Sequence, residues 1–586
     1  MIKSEPSKII KKYLDYLLSI IGVLSVILLI LVIGFRLPSW QFNLINIIID
    51  VIILIYIIQE GIRWILVPEL FQYLKDRWFD NLLALLLLVN LIFPTSAIGM
   101  VKVILPQFSL KELTILYFGI IQLLLIFSIL LKTLRYNYLF SKIKLHPGAI
   151  FALSFAFLII SGSLLLMLPK ATPPGNPISY VDALFTSTSA VCVTGLVVVD
   201  TAKDFAPLGK IIILFLIQVG GLGVMTLTTF FASYLAGGVS IHFRLLMKDM
   251  LSSDNIGEVT GLLLKIVTYT FIIEFAGAVF LYFFLGGSIY YFNWDYFVSA
   301  VFHSISAFCN AGFSLYSQNL VNINYYFSTI IMILIVLGGL GFTVLANITD
   351  LFPWKKDKQK LRHRLTISSK LVIFTTIILI FGGALLIFAG DPYSFDKTLT
   401  AGDRFFHSLF NSVTARTAGF NTVPIDKLAM TSVLILIVLM WIGASPGGTG
   451  GGIKTTTISI TLIALFKAIR GKDRVELFKR RIATQSIQKA FLVLLASLVV
   501  LSVMSIMLIA IEPDKDPINL IFEVTSALGT VGLSRDVSYH LGDGGKLLIT
   551  LTMYIGRIGV LTFFSSLAAP KYEARYSLPN EGIMVG

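Results

Sequence analysis

Charged residues are scarce in this chain. Only 13% of its 586 residues are Asp, Glu, Lys or Arg, against about a quarter in soluble globular domains. Hydrophobic residues make up 56%, and the mean hydropathy is +0.88. This composition excludes a soluble globular protein and predicts a chain that crosses a membrane many times.

Cysteine is scarce as well, since only Cys192 and Cys309 are present. Two distant cysteines give neither a disulfide framework nor the Cys-x-x-Cys spacing of a metal site. The sequence also has no Ser–His–Asp set and no phosphate-binding glycine loop, so we expect no enzyme. The N-terminus is basic and then apolar, and it lacks the cleavage site of a signal peptide. We therefore expect a retained first helix.

Basic residues gather in short runs between the apolar stretches. The net charge is +14, and the densest runs are "WKKDKQKLRHR" (354–364) and "KAIRGKDRVELFKRR" (467–481). Such clusters are typical of cytoplasmic loops, and they also attract anionic lipid headgroups or an acidic partner. All of them lie on one side if the N- and C-termini are cytoplasmic. We therefore expect contact with membrane lipids and no nucleic-acid partner.

Run length and flanking charge predict about twelve membrane helices. The first four form a leading segment, and the other eight belong to an internal repeat. The helices are expected near 14–35, 44–62, 80–104, 112–132, 149–168, 207–236, 260–286, 324–350, 368–389, 431–466, 488–511 and 546–568.

Four similar segments recur between the paired helices of the repeat. They are "FTSTSAVCVTGL" (185–196), "FHSISAFCNAGF" (302–313), "FNSVTARTAGF" (410–420) and "FEVTSALGTVGL" (522–533). Each begins with Phe, carries small hydroxyl residues and ends in Gly followed by Leu or Phe. A second glycine-containing motif follows each segment, for example "IGRIGVLTFF" from Ile555. Two motifs in fixed order, four times, indicate four helix–loop–helix units.

We predict that the four segments are re-entrant hairpins. A single glycine would be an ordinary turn residue, but here the glycine recurs at the same place in all four segments. Each opens with an amphiphilic stretch too short to cross the membrane. Non-helical backbone at membrane depth is tolerated only where it is buried in protein or lines a cavity. Glycine permits the backbone angles that turn carbonyls toward one axis, and rings of carbonyls can replace the hydration shell of a weakly hydrated cation. No Asp or Glu adjoins the glycines, which disfavours a divalent-cation site.

Arg557 lies about a dozen residues into the last apolar helix, close to the middle of a bilayer. An arginine at that depth faces a cavity or an oxygen-rich partner. The candidate partner is "WIGASPGGTGGGIKTTT" (441–457), where six of the ten residues 443–452 are Gly. Glycine and proline break helices, so we expect an intramembrane loop; a flexible linker is the alternative. The gate residues are predicted to be Arg557, Gly447, Gly448, Gly450, Gly451, Gly452 and Lys454.

Lys454 follows this glycine-rich loop directly. It either helps to set the potential below the filter or only marks the cytoplasmic side. Glu523, in the fourth segment, is expected to be a hydrogen-bonded structural carboxylate rather than a group at the cavity mouth. His303 and His407 are expected to be packing residues with polar partners.

These motifs resemble the Trk/Ktr/HKT superfamily of potassium transporters, and in particular its TrkH- or KtrB-like pore-forming subunits. The resemblance covers roughly residues 145 to 570 and lies in "SAVCVTGL", "CNAGF", "TARTAGFNT" and "GTVGL". It implies an all-α polytopic membrane protein with four tandem M1–P–M2 units around a pseudo-fourfold pore. The selectivity filter for K⁺ would comprise Val193, Thr194, Gly195, Asn310, Ala311, Gly312, Thr417, Ala418, Gly419, Thr530, Val531 and Gly532.

The resemblance also sets domain boundaries. Residues 1–145 are the N-terminal membrane segment of about four transmembrane helices, and 571–586 are a cytoplasmic tail. The four M1–P–M2 units are expected at 146–240, 255–352, 366–470 (with a broken M2) and 486–570.

Function and partners follow from the same resemblance. It implies potassium uptake across the cytoplasmic (inner) membrane, gated by the intramembrane loop and Arg557. In plant members a serine at the first filter glycine goes with sodium preference, so Gly195 favours potassium. It further implies a homodimer with a nucleotide-binding regulatory ring (TrkA- or KtrA-like) in the cytoplasm. Potassium is the substrate, no cofactor is bound covalently, and coupling to Na⁺ or H⁺ (symport) stays open.

Three alternatives remain open. One is a twelve-helix secondary carrier for an organic solute, which would have two related six-helix halves and no pore hairpins. Another is a sodium-conducting member of the same superfamily. A membrane enzyme or receptor is the third, but the sequence offers it no catalytic constellation.

Overall fold

The computed structural model is mostly helical and describes residues 5–66, 71–72, 78–92, 147–223, 226, 259–288, 291–351, 365–391, 399–472 and 474–567. Its helices, numbered here through the described residues, are α1 (Glu5–Gly34), α2 (Ser39–Leu66), α3 (Trp78–Ile92), α4 (Pro147–Leu166), α5 (Tyr180–Val191), α6 (Pro207–Leu222), α7 (Val259–Phe284), α8 (Trp294–Phe308), α9 (Tyr325–Leu340), α10 (Phe342–Thr349), α11 (Ile367–Gly390), α12 (Ala401–Thr414), α13 (Met430–Trp441), α14 (Thr455–Ile469), α15 (Thr484–Ile511), α16 (Pro517–Gly529), α17 (Asp543–Ile558) and α18 (Val560–Leu567).

Several helices are apolar enough to cross a membrane. Five of those described, within α2, α4, α7, α11 and α15, are long enough alone, and the count rises to seven if each of two bent pairs forms one span. Large apolar side chains on these helices stay exposed, for example Phe157 and Phe275, each 72%. Exposed apolar surface of this extent suits a hydrocarbon environment, so this is a multi-pass membrane protein.

The leading helices α1 to α3 share an apolar core of their own that includes Ile53, Tyr56 and Leu87. They also touch the rest of the chain, because Lys170 donates from its backbone to the Gly34 carbonyl and from Nζ to the Val32 carbonyl, both at 3.0 Å. The fourth predicted leading helix (112–132) lies outside the described residues.

Four short helices (α5, α8, α12 and α16) are each packed between longer ones. Polar caps start them: the side chains of Ser179, Asn293, Thr400 and Asp516 each accept a hydrogen bond from a backbone amide of the first turn. In α12, Thr400 and Asp403 form a reciprocal capping box. With 12 to 15 residues, these helices are too short to cross a bilayer.

Two helices that the sequence predicts as continuous are broken. The prediction of one helix over 324–350 was wrong, because α9 and α10 meet at Gly341 with a 96° bend. The prediction over 546–568 was wrong in the same way, since α17 and α18 bend by 97° at Gly559. Both glycines have φ near +90°, which ends a right-handed helix. Apolar run length alone does not reveal such a break.

The backbone from Ile442 to Lys454 is not helical, in agreement with the break expected from its glycines. Within this stretch, the glycine-rich loop, Ile442 forms an isolated parallel bridge with Ile453. The basic run at 467–481 contains a small antiparallel hairpin of β1 (Glu476–Leu477) and β2 (Arg480–Arg481). The other basic run (354–364) lies outside the described residues.

Candidate ion site

The four repeated segments adopt one backbone pattern after their short helices. The first residue of each candidate filter triplet has a positive φ: 56° at Val193, 60° at Asn310, 73° at Thr417 and 50° at Thr530. The closing glycine of each triplet is also positive, between 71° and 94°. All four triplets therefore have a left-handed backbone at their first and last residues, a conformation that residues other than glycine seldom adopt.

The four loops close into a ring. A β-carbon built on any of the closing glycines would collide with the glycine of the next loop in chain order, and the last loop meets the first. The distances from that β-carbon to the next glycine's Cα are 3.0 Å from Gly195 to Gly312, 3.0 Å from Gly312 to Gly419, 3.1 Å from Gly419 to Gly532, and 2.9 Å from Gly532 to Gly195. Only glycine allows this approach.

Buried hydroxyls of the short helices hold the loops in place. Two accept from the backbone amide of the closing glycine, and two donate to the carbonyl of the residue after it. The pairs are Ser189 with Gly195 (3.0 Å), Ser526 with Gly532 (3.0 Å), Ser306 with Phe313 (2.8 Å) and Thr414 with Phe420 (2.6 Å).

The third loop is one residue shorter than the others, and the shortening falls at the helix end. In the first loop the Thr194 amide bonds the carbonyl of Ser189, five residues back, at 2.8 Å. In the third the Ala418 amide bonds that of Thr414, four residues back, at 2.9 Å. The tighter turn absorbs the missing residue, so the third glycine keeps its place in the ring.

A cavity of about 640 Å³ opens on one side of the ring and is lined by all four closing glycines. Its wall also includes Asp200, Asp426, Asp536 and Lys427. We call this the outer cavity. Its three carboxylates and one ammonium give it a net negative charge, which raises the local concentration of cations. Sequence reasoning missed these aspartates because they lie on three separate loops.

The glycine-rich loop lies on the opposite side of the ring and is fastened to the second repeat. The amides of Ser445 and Thr449 donate to the carbonyls of Gly339 (3.0 Å) and Gly338 (3.2 Å), which lie in the last turn of α9. The Thr449 hydroxyl donates to the Phe308 carbonyl at 3.2 Å, two residues before the second filter triplet.

The same loop touches the candidate filter directly. The Gly451 amide donates to Thr530 Oγ1 at 3.0 Å. A β-carbon on Gly450 would collide with Thr417 Oγ1, and one on Gly452 would lie 3.2 Å from the Gly529 carbonyl oxygen. The glycines therefore let the loop lie against the third and fourth filter segments.

Arg557 joins this loop to the first repeat. Its guanidinium donates from Nη1 to the Thr449 carbonyl and from Nη2 to the Gly220 carbonyl. The Phe155 ring lies 5.9 Å from the guanidinium carbon. No carboxylate of the described residues forms an ion pair with Arg557. Lys454 Nζ donates to the Gly450 carbonyl at 2.8 Å, so both cations bind carbonyls of the loop.

A family model described as "TrkH: Cation transport protein" matches residues 150–573 of this chain. The chain belongs to the TrkH family. The match begins after the leading helices and covers all four repeated segments, the glycine-rich loop and Arg557.

Curated relatives of this TrkH family member are similar over most of their length. "Potassium/sodium uptake protein NtpJ" of Enterococcus hirae is 36% identical over 458 residues, which is 76% of this chain and 98% of that protein. "Ktr system potassium uptake protein D" of Bacillus subtilis is 35% identical, over 75% of this chain and 98% of that protein. The crystal structure of the potassium transporter TrkH from Vibrio parahaemolyticus shares the fold, with a TM-score of 0.60 at 20% identity, over 84% of this chain and 98% of that one.

Three buried polar residues of this TrkH family member have hydrogen-bond partners within the protein. Glu523 is fully buried and accepts from the hydroxyls of Ser534 and Ser538 (2.8 Å for Ser538). His303 Nδ1 lies 2.7 Å from the Ser299 carbonyl, and His407 Nδ1 lies 2.8 Å from a threonine hydroxyl. These contacts agree with the packing roles expected from the sequence.

Proposed function

We propose that this protein carries potassium into the cell through a pore on the common axis of four tandem M1–P–M2 units. The observation that carries the proposal is the closed ring of the four loops, in which each closing glycine abuts the next. Membership of a cation transport family favours an inorganic cation over an organic solute. Relatives about 35% identical are named as potassium uptake proteins, which supports potassium as the substrate.

Selection is by backbone carbonyls of the twelve residues named above as the filter. The carbonyl dipoles replace the hydration shell of the ion at no cost in buried carboxylate charge. The outer cavity, with its three aspartates, gathers cations at the entrance. Inward movement is driven by the membrane potential, about 2.3 kcal/mol per charge per 100 mV.

Conduction is gated by the glycine-rich loop together with Arg557. The loop lies directly against the filter segments, and its closed position depends on carbonyl contacts that one guanidinium bridges. Displacement of the loop opens the path. Lys454, bonded to Gly450, adds a second positive charge below the filter.

Sodium is a second candidate substrate, because one relative is named as a potassium/sodium uptake protein. Gly195 favours potassium in this chain, while coupling to Na⁺ or H⁺ is decided only by flux. We further propose an inner-membrane homodimer with cytoplasmic termini and a nucleotide-binding regulatory ring on the basic side. If the protein purifies without such a ring and still shows full regulated transport, the proposal of a regulatory ring is refuted.

The decisive experiment is ion flux through the purified chain in liposomes. We expect uptake of K⁺ and Rb⁺ driven by an inside-negative potential, measured with and without Na⁺ or H⁺ gradients. Gly195→Ser is expected to raise Na⁺ flux relative to K⁺, since its β-carbon would lie 2.6 Å from the Ala311 carbonyl oxygen. Gly175→Ser is the matched control: Gly175 also has a positive φ (85°) but nothing within 4 Å. Wild-type protein without cation flux would refute the proposal.

A further inference from the structure

A buried carboxylate lies behind the second filter segment. Glu274 is in α7, a helix apolar enough to cross the membrane, and is 4% exposed. No basic side chain among the described residues forms an ion pair with it. A carboxyl group is expensive at membrane depth, so its presence calls for a specific role.

The two carboxyl oxygens of Glu274 bind different repeats. Gln218 Nε2, on α6 of the first repeat, donates to Oε2 at 3.2 Å. The Cys309 thiol donates to Oε1, with 3.7 Å between sulfur and oxygen. Cys309 directly precedes Asn310, the first residue of the second filter triplet. Glu274 therefore connects this triplet to α6 of the first repeat.

The first and third repeats show which side chain occupies the position that corresponds to Glu274. The hydroxyls of Ser187, Ser304 and Ser412 donate to the backbone carbonyls of Ile159, Glu274 and Ile380, respectively. These three carbonyls mark one structural position, which isoleucine occupies in the first and third repeats. Filling space there does not require a carboxyl group.

We propose that Glu274 is a positioning residue that sets the discrimination between potassium and sodium through the second filter loop. By binding Cys309 and Gln218 together, the carboxyl fixes where the Asn310 carbonyl stands relative to the axis. Selection by carbonyls depends on their number and position around the ion, so a loop freed from this anchor discriminates less. The inference rests on the proposed function, of which it is a refinement.

The test compares Glu274→Ile with the wild type in liposomes. The substitution gives the second repeat the residue found in its sisters. We expect the K⁺/Na⁺ flux ratio to fall about fivefold, the factor that corresponds to about 1 kcal/mol for one ordinary hydrogen bond. Glu274→Gln retains the shape of the side chain and one acceptor oxygen. Its K⁺/Na⁺ flux ratio should therefore lie between those of the wild type and Glu274→Ile. Ile380→Leu, at the same position of the third repeat, is the matched control and should leave the ratio unchanged.

Gln218→Val keeps the carboxyl of Glu274 in place but removes its contact with the first repeat. It tests the same connection independently and remains usable if Glu274→Ile does not reach the membrane. It should lower the ratio too, and combining it with Glu274→Ile should add little, because both remove one connection. Unchanged ratios in Glu274→Ile and Gln218→Val, with altered rates only, would overturn the inference and leave Glu274 a packing residue. Absence of wild-type cation flux would instead refute the proposed function itself.

Discussion

Removal of the Arg557 side chain should release the proposed gate. The guanidinium is the one described group that holds the Thr449 carbonyl of the glycine-rich loop and the Gly220 carbonyl of the first repeat at once. Arg557→Ala deletes both contacts and a positive charge beneath the filter. We expect faster and less regulated potassium uptake.

The magnitude follows from the single contact that ties the loop to Arg557. A hydrogen bond to a charged donor contributes about 1.5–3 kcal/mol net. Its loss shifts the ratio of displaced to closed loop by about 10- to 150-fold. The Gly220 contact anchors the arginine rather than the loop, so it adds nothing to this figure. If the closed state dominates in the wild type, the uptake rate should rise by a comparable factor.

Initial rates of Rb⁺ uptake into liposomes with equal amounts of reconstituted protein measure this shift. Arg557→Lys separates the two effects of arginine, because an ammonium keeps the charge but lacks the planar fork that reaches both carbonyls. If the two-point contact holds the loop, the lysine variant conducts faster than the wild type. If charge alone blocks the path, it conducts at the wild-type rate.

One result would refute the gate. It is an Arg557→Ala protein that folds, retains its K⁺/Na⁺ ratio and transports no faster than the wild type. In that case the two carbonyl contacts serve only to satisfy a buried arginine. The loop would then close the path, if at all, through its contacts with the second repeat and the filter.

Three further outcomes are expected. Gly419→Ala should abolish selective K⁺ flux, because its β-carbon would collide with the next loop, whereas Gly471→Ala, also at positive φ but with nothing within 4 Å, should leave transport intact. Thr530→Val leaves a loop amide without its acceptor at a cost of about 1–3 kcal/mol, so uptake should rise at an unchanged K⁺/Na⁺ ratio; a slower variant would contradict the contact's role. Asp536→Asn should slow uptake at low ionic strength, and Lys427→Gln should speed it. Both effects should vanish near 1 M salt, where the Debye length is about 3 Å. Effects that persist at 1 M salt would exclude electrostatic steering by the outer cavity.

The sequence sufficed where a local pattern has one physical solution. Four phenylalanine-to-glycine segments with hydroxyls between them predicted similar loops, and the loops share one backbone conformation. Six glycines within ten residues predicted a broken helix, and helix α13 does end before them. An arginine in an apolar helix predicted an oxygen-rich partner, which is the Thr449 carbonyl.

Features that depend on tertiary packing could not be read in the same way. The bends at Gly341 and Gly559 leave the apolar pattern uninterrupted, so run length predicted straight helices. The aspartates of the outer cavity lie on separate loops and converge only in three dimensions. Glu274 was visible as an acidic residue in an apolar helix, but its partners Gln218 and Cys309 lie 56 and 35 residues away.

If the proposed function holds, the arrangement explains how one loop would gate a pore built from four repeats. In a single chain the repeats can diverge, and the position held by Gly221 and Gly339 in the first two repeats is Arg557 in the fourth. The glycine-rich loop of the third repeat binds the end of α9 in the second, Thr530 in the fourth and, through Arg557, the first. Four identical subunits would place four arginines and four such loops at one axis, where like charges and backbone volume would conflict. Under the proposed function, this asymmetry therefore allows a filter with near-fourfold geometry and a gate with one moving part.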